Sequence, residues 1–449
     1  SVSKSSCYSI ILCTRTGHRY CAGNLLQQTR MSSRSRIVEL AAIIHEQTLK
    51  VDAHLASNQI PAPSFDIDTP LSLPAEVQVS QGAVLEAIDE LQALFLGPIG
   101  SVVPPHNAWT CVTAIQRFGY ATSFPTTATS TFAEIAQACG TSESDTRRLL
   151  RQAMTFYIFR EPSPGVVAHT AGSKVLAEIP SVGAYIDFVS LEMLPSHGRL
   201  VDAMQKWPGS EEPNEAGFAV AHNCDIPMFE VIASDPKRAE RMVGGMSFLL
   251  SSPGFSVNYL LENFEWGSAA KGGLLVDVGG ASGEVATAIA RHLPEIKCIV
   301  QDTPGVIEGA EVPSDLEGRL SFMAHDFFQQ QPLKGADIYL IRFVLHDWSD
   351  KYAVKILKSL VPSLKRGARV LVSDTCAPPS SGDMSPYQYR APRTYDIYMK
   401  GLANAKERNA DEWAQLFKLV DPQFSPCEIQ SPEGSVMSII SVTWQGESF

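Results

Sequence analysis

The sequence predicts a doubly wound, mostly parallel α/β sheet ending in an antiparallel hairpin, preceded by a mostly helical half that contains a winged helix. Three observations carry this. From Lys271 onward, short β-rich runs alternate with helical runs, the pattern that gives parallel strands joined by crossover helices. The first of these strands runs into Gly279-Gly280-Ala281-Ser282-Gly283, a turn whose glycines let a backbone pass close to a ligand. Between residues 131 and 168, two helical segments precede two short strands around a Pro-Gly turn at 164–165, the outline of a winged helix.

The bulk numbers narrow the class. A chain of 449 residues predicts two or three domains, and 45% hydrophobic with 19% charged residues is ordinary for a soluble globular protein. The net charge of −12 argues against nucleic-acid and anionic-membrane partners, which favour basic surfaces. No apolar run approaches the roughly 20 residues that span a bilayer. The nine cysteines are scattered without a CxxC pair, which reads as reduced thiols in the cytoplasm, with neither a disulfide framework nor a zinc site.

Taken in order, residues 1–30 hold basic residues (Lys4, Arg15, Arg19, Arg30) and no acid. They read as an unstructured or non-native extension before a natural start at Met31, in preference to a mitochondrial transit segment. Residues 31–80 form a helix with apolar positions Ile37, Leu40, Ala41 and Ile44, then an arm broken by Pro61, Pro63, Pro70 and Pro74. Residues 81–262 form a helical and winged-helix unit for dimerisation and substrate binding. Its first helix carries Val84, Ile88, Leu91 and Phe95, and the next runs from Trp109 to Tyr120. Thr131 caps a short helix that Gly140 ends, and Ser142 starts a second with Leu149, Leu150 and Met154. Strands are expected at Tyr157–Phe159 and Val166–Ala168, followed by helices over 181–262. Residues 263–449 form the ligand-binding α/β unit. Its expected strands are 274–278, 298–301, 320–324, 338–343 and 370–373, its helices 284–292, 351–364 and 410–420, and its hairpin 425–444.

Carboxylates fall at successive strand ends. Asp277 lies in the first strand, before Gly279, Gly280 and Gly283. The spacing is not that of the dinucleotide fingerprint, but the segment resembles the acid-x-Gly-x-Gly-x-Gly loop of S-adenosylmethionine-dependent methyltransferases, with Ala281 in place of the middle glycine. Asp302, ending the second strand, is placed to accept ribose hydroxyls. Asp326, after the third, is placed to accept an adenine amino group, with Phe327 against the adenine face. No metal is expected.

The fourth strand ends in Arg342-Phe343-Val344-Leu345-His346-Asp347-Trp348-Ser349-Asp350. With Gln301-Asp302-Thr303-Pro304-Gly305-Val306-Ile307 and Lys406-Glu407-Arg408 before Glu412-Trp413, this resembles the plant caffeic-acid-type O-methyltransferases and their fungal secondary-metabolite relatives, over roughly residues 80–445. The resemblance implies that His346 is the general base, that Asp374 and Glu407 are the acids flanking it, and that Arg342 takes a lysine position near the adenine. It implies S-adenosyl-L-methionine as cofactor, S-adenosyl-L-homocysteine as product and a homodimer with interlocked N-terminal helices. The acceptor would be a phenolic or enolic hydroxyl of a small secondary metabolite such as a polyketide. A phenol with pKa near 10 needs a base at pH 7, and an imidazole held by a carboxylate can serve. Phe188, Met193, Phe229, Met246 and Phe248 are candidates for an apolar pocket wall, although such spacing also suits plain core. Two alternatives stand beside this: a non-methylating pericyclase on the same fold, and a winged-helix DNA-binding regulator, to which Thr146-Arg147-Arg148 lends weight.

Overall fold

The protein is described here by a computed structural model covering residues 35–102, 108–379 and 384–447; the expected extension at 1–30 lies outside the described residues. The chain begins with α1 (Arg36–Ser57) and α2 (Gln78–Val102), packed on each other. Gly97, at a φ of 67°, kinks α2 just before Pro98. α3 (Trp109–Phe118) precedes β1 (Thr129–Thr131), α4 (Phe132–Cys139), α5 (Glu143–Met154), β2 (Arg160–Ser163) and β3 (Val166–Ala168). Thr131 and Glu134 form a reciprocal capping box on α4, and Ser142 caps α5, satisfying amide groups a helix start leaves open. The three strands form an antiparallel sheet in the order β1-β3-β2.

One expectation shifts here. The strand predicted at Tyr157–Phe159 begins instead at Arg160, because Tyr157 and Phe159 adopt φ of 61° and 63°, a left-handed backbone that cannot join a sheet. Phe159 is buried all the same, so its apolar character reports the core and not a strand.

Eight helices follow: α6 (Ala171–Glu178), α7 (Pro180–Phe188), α8 (Leu194–Gly198), α9 (Leu200–Lys206), α10 (Gly217–His222), α11 (Met228–Ser234), α12 (Pro236–Leu250) and α13 (Asn258–Asn263). A π-turn at Val189–Met193 joins α7 to α8.

The alternating half forms one seven-stranded sheet. Its elements are β4 (Leu274–Val278), α14 (Glu284–His292), β5 (Lys297–Asp302), α15 (Pro304–Ile307), β6 (Leu320–Ala324), β7 (Ile338–Arg342), α16 (Asp350–Leu360), β8 (Arg369–Asp374), α17 (Pro386–Ala403), α18 (Ala410–Val420), β9 (Glu428–Gln430) and β10 (Ser438–Thr443). The strand order is β6-β5-β4-β7-β8-β10-β9. The first five pair in parallel, and β10 pairs antiparallel with both β8 and β9. Alternate residues feed two cores. Val276, Val278, Ile341 and Val372 face α16 and α18, whereas Leu275, Leu340 and Leu371 face α14. Burial on both faces explains why these strands are mostly apolar, with Asp277 the exception in β4. The chain reverses direction across the sheet between β4 and β7, the crevice where such folds bind ligands.

α17 was not anticipated. Pro386 sits at its first turn, where no amide hydrogen bond is lost, and Ser385 and Gln388 form its capping box. Pro392 lies inside it, and prolines there mask a helical pattern.

Candidate active site

The carboxyl ends of β4, β5, β7 and β8 bring most of the predicted residues together. The turn after β4 has no room for side chains. A Cβ at Gly280 would lie 2.6 Å from Asp277 Oδ2, and one at Gly283 would lie 2.9 Å from the Phe322 ring. Gly279 and Gly283 also hold φ of 75° and 78°, open to glycine and strained for other residues. Ala281 accepts a φ of 47°.

Asp277 is buried, and its Oδ2 has no hydrogen-bond partner. Burial pushes its carboxyl up to about 7, with the Arg342 charge pulling down and Asp302 pushing up. A buried acceptor facing a glycine cradle without a partner is a binding feature, since structures rarely leave such atoms orphaned.

Asp302 Oδ2 accepts from Ala281 N at 3.0 Å, tying the β5 end to the loop. Asp326 is exposed and accepts from Phe328 N at 2.9 Å. The half-buried Phe327 ring lies 3.7 Å from where a Cβ of Gly279 would stand. Arg342 donates through Nη2 to the Phe255 carbonyl at 2.7 Å, and its Nε has no partner. Burial lowers its pKa, while Asp277, Asp374 and Glu284 act against that. Of these three acids, Asp277 stands near the end of β4 and Asp374 at the end of β8.

β7 leaves the sheet at Phe343, which has a φ of 57°, and coils into a short 3-10 turn, Leu345–Asp347. His346 is buried on this turn. Its backbone N donates to Asp374 Oδ2 at 3.1 Å, its Nδ1 lies 2.9 Å from Glu407 Oε1, and its ring packs on Phe343 at 4.1 Å. Nε2 stands 3.6 Å from Asp347 Oδ1. Glu407 Oε2 accepts from Thr375 Oγ1, and the Glu407 amide donates to Asp396 Oδ1 at 3.0 Å. With Nδ1 held by a carboxylate, Nε2 is the nitrogen left to take a proton. Burial lowers the imidazolium pKa, but Asp347, Asp374 and Glu407 outweigh it and push His346 up to about 10. Burial also raises Asp374, and it raises Asp347 to about 6.

The expected apolar wall divides. Phe188 and Met193 are buried in a core shared with Phe229 and Met246, and Phe248 packs on Tyr185. Of the five, Phe229 reaches the segment after the His346 turn, its ring 6.0 Å from that of Trp348. Trp348 in turn packs on Phe327 and Phe328.

Sequence reasoning missed several groups here. Asp347 and Thr375 touch the histidine–acid pair directly. Arg408, fully buried, anchors the histidine turn from behind. The loop before α10 reaches across: Ser349 Oγ donates to the Glu211 carbonyl at 2.9 Å, and Asn404 Nδ2 to that of Glu212 at 2.8 Å. Thr375 follows Asp374, and Arg408 stands in the Lys406-Glu407-Arg408 triplet, so both lay beside residues already singled out. Among the described residues no helix is long and apolar enough to cross a membrane.

Comparisons with known proteins identify the family. Residues 200–420 match the O-methyltransferase domain family. O-methyltransferase kk1A of Curvularia clavata is 39% identical, covering 92% of this chain and 98% of its own. Chlorophenol O-methyltransferase of Trichoderma longibrachiatum is 35% identical, covering 96% and 94%. Among solved structures, OxaC with sinefungin and meleagrin superposes with a TM-score of 0.69 at 21% identity, covering 90% of this chain and 99% of that one. A structure described as a pericyclic reaction enzyme gives 0.65 at 21%, covering 91% and 100%; identities this low speak for the fold alone. The extent and level of identity to the curated relatives decide the assignment: the chain belongs to the S-adenosylmethionine-dependent O-methyltransferases.

Proposed function

We propose that the protein methylates a phenolic or enolic hydroxyl of a small aromatic secondary metabolite, with His346 as general base and Glu407 as the acid that orients it. The observation that carries this is the 2.9 Å contact between His346 Nδ1 and Glu407 Oε1, with the His346 amide pinned to Asp374. The Trichoderma relative named for chlorophenol supports a phenolic acceptor. When bound, S-adenosylmethionine supplies an activated methyl and a positive charge. The orphaned Asp277 oxygen and the glycine cradle fit such a group, and Asp302, Asp326, Phe327 and Arg342 are the other residues we assign to holding it. His346 then takes the hydroxyl proton at Nε2, and Glu407 steadies the imidazolium. Asp374 fixes the turn and adds negative charge. Phe229 and Trp348 supply aromatic surface beside the base.

We assign residues 263–449 to the catalytic unit and 81–262 to substrate binding and dimerisation, with the capped helices and three-stranded sheet as a winged helix used for packing. The chain forms a homodimer in this reading, supported by apolar side chains that α1 and α2 leave exposed, among them Ile88 and Phe95 at 43% and 72%. A pericyclase reading requires no base, and the intact His346–Glu407 pair speaks for methyl transfer.

The test is incubation with labelled cofactor and a panel of phenolic polyketides, read by mass, for the protein and its His346→Ala variant. The variant should lose roughly 10²–10⁴-fold in turnover, retain S-adenosylhomocysteine affinity, and recover partly as pH nears the phenol pKa. Full activity at pH 7 would remove His346 as the base. Product without methyl gain would favour the pericyclase.

A further inference from the structure

Arg408 has no exposed surface, and a buried guanidinium is costly unless its donors are satisfied. Its donors are spent on one target. Nη1 donates to the Leu345 carbonyl at 2.7 Å, Nη2 to the Trp348 carbonyl at 2.8 Å, and Nε to Asp350 Oδ1 at 2.8 Å. Leu345 and Trp348 bracket His346 and Asp347, so the planar fork grips the catalytic turn on both sides of the base. The next residue back, Glu407, holds His346 Nδ1. Lys406 N also donates to the His346 carbonyl at 3.2 Å. The Arg408 backbone is itself fixed, because Ala377 N donates to its carbonyl at 2.8 Å and its guanidinium lies over the Trp413 ring.

We propose that Arg408 is a positioning residue for methyl transfer: it locks the His346 turn to the segment carrying Glu407 and thereby sets the distance between base and acid. The inference rests on the reading of His346 as base, though the geometry it describes does not. Lysine cannot replace it, since one ammonium cannot reach two carbonyls and a carboxylate in the plane a guanidinium spans. Asp350, 39% exposed at its side chain and shared with Lys406, is the outer end of the clamp.

The experiment compares Arg408→Lys and Asp350→Asn with the parent protein, counting active sites by S-adenosylhomocysteine titration. Arg408→Lys should lower kcat per binding site by roughly 10- to 100-fold, the scale of a misplaced reacting group. KM for the cofactor should stay within about twofold. The acid limb of the pH–rate profile should move to lower pH, as His346 loses contact with Glu407. Asp350→Asn should move both quantities the same way by less. In histidine-labelled protein, the His346 resonances, assigned by their loss in His346→Ala, should titrate at lower pH in Arg408→Lys. An unchanged kcat per site, or a fall in kcat with the limb and the His346 titration unmoved, would overturn the proposal. If Arg408→Lys binds no S-adenosylhomocysteine, Asp350→Asn decides by the same criteria. Were His346→Ala fully active, the base reading would fail while the His346 titration still judged the clamp.

Discussion

Replacing Asp277 with Asn should stabilise the cofactor-free protein at pH 8 and weaken its grip on cofactor. The carboxyl is buried and lacks a partner at Oδ2, and burial lifts it from 3.8 to about 7. The folded value therefore lies above the unfolded one. Such a group costs nothing below pH 3.8, costs progressively more as pH rises, and carries its full penalty above pH 7. About three pH units at about 1.4 kcal/mol each give at most about 4 kcal/mol. Asparagine removes the charge but leaves an amide with no partner, which costs about 1–3 kcal/mol. The attraction to Arg342 is already contained in the folded value and adds nothing further. The net expectation is a gain of about 1–3 kcal/mol at pH 8 and a loss of similar size at pH 4. Thermal unfolding without cofactor at both pH values reads the sign change, and calorimetry with S-adenosylhomocysteine reads the affinity. Destabilisation of equal size at both pH values would refute the burial argument, and an unchanged affinity would remove Asp277 from the cofactor site.

Three further outcomes follow from the same geometry. Glu407→Gln keeps an acceptor for His346 Nδ1 but removes one of the charges holding the imidazole pKa up, so the acid limb of the pH–rate profile should move to lower pH while limiting turnover falls roughly 10- to 100-fold; a limb that stays in place would exclude Glu407 as partner. Asp302→Ala should raise KM for the cofactor, leave turnover at saturating cofactor nearly intact, and loosen the loop that Ala281 N anchors; a pure loss of kcat would contradict this. Light scattering at micromolar protein should give about twice 48.8 kDa, and a clean monomer would remove the dimer.

The parts legible in the sequence share a physical reason. Strands such as Leu274–Val278 are buried on both faces, so their composition alone marks them. The acids Asp277, Asp302 and Asp374 sit in or at the end of such strands, where a polar residue breaking an apolar run is conspicuous. What was hidden depends on contacts between distant segments. The Lys406-Glu407-Arg408 triplet drew notice to Arg408 but not to its burial, which depends on carbonyls some 60 residues earlier. The Glu211 and Glu212 strap reaches residues about 140 positions away. α17 was hidden by its prolines, and β2 by its polar, exposed sequence, Arg160-Glu161-Pro162-Ser163, which marks an edge strand and not a core one.

The electrostatics of the site bear on how a histidine with a pKa of about 10 can act as a base at pH 7. At pH 7 such a group holds its proton most of the time. Yet the same carboxylates that cause this also match it to a phenol, whose own pKa is near 10, so transfer between them is close to thermoneutral. A positive charge brought into the crevice repels the imidazolium proton and lowers its pKa. The free-base fraction of His346 at pH 7 rises accordingly. Asp277, Asp347 and Asp374 are all pushed up by burial, so a cation entering the crevice would favour their ionised forms. A cationic cofactor would relieve those acids and unload the base together. The acids around His346 thus fit the proposed role of a base that works beside a sulfonium.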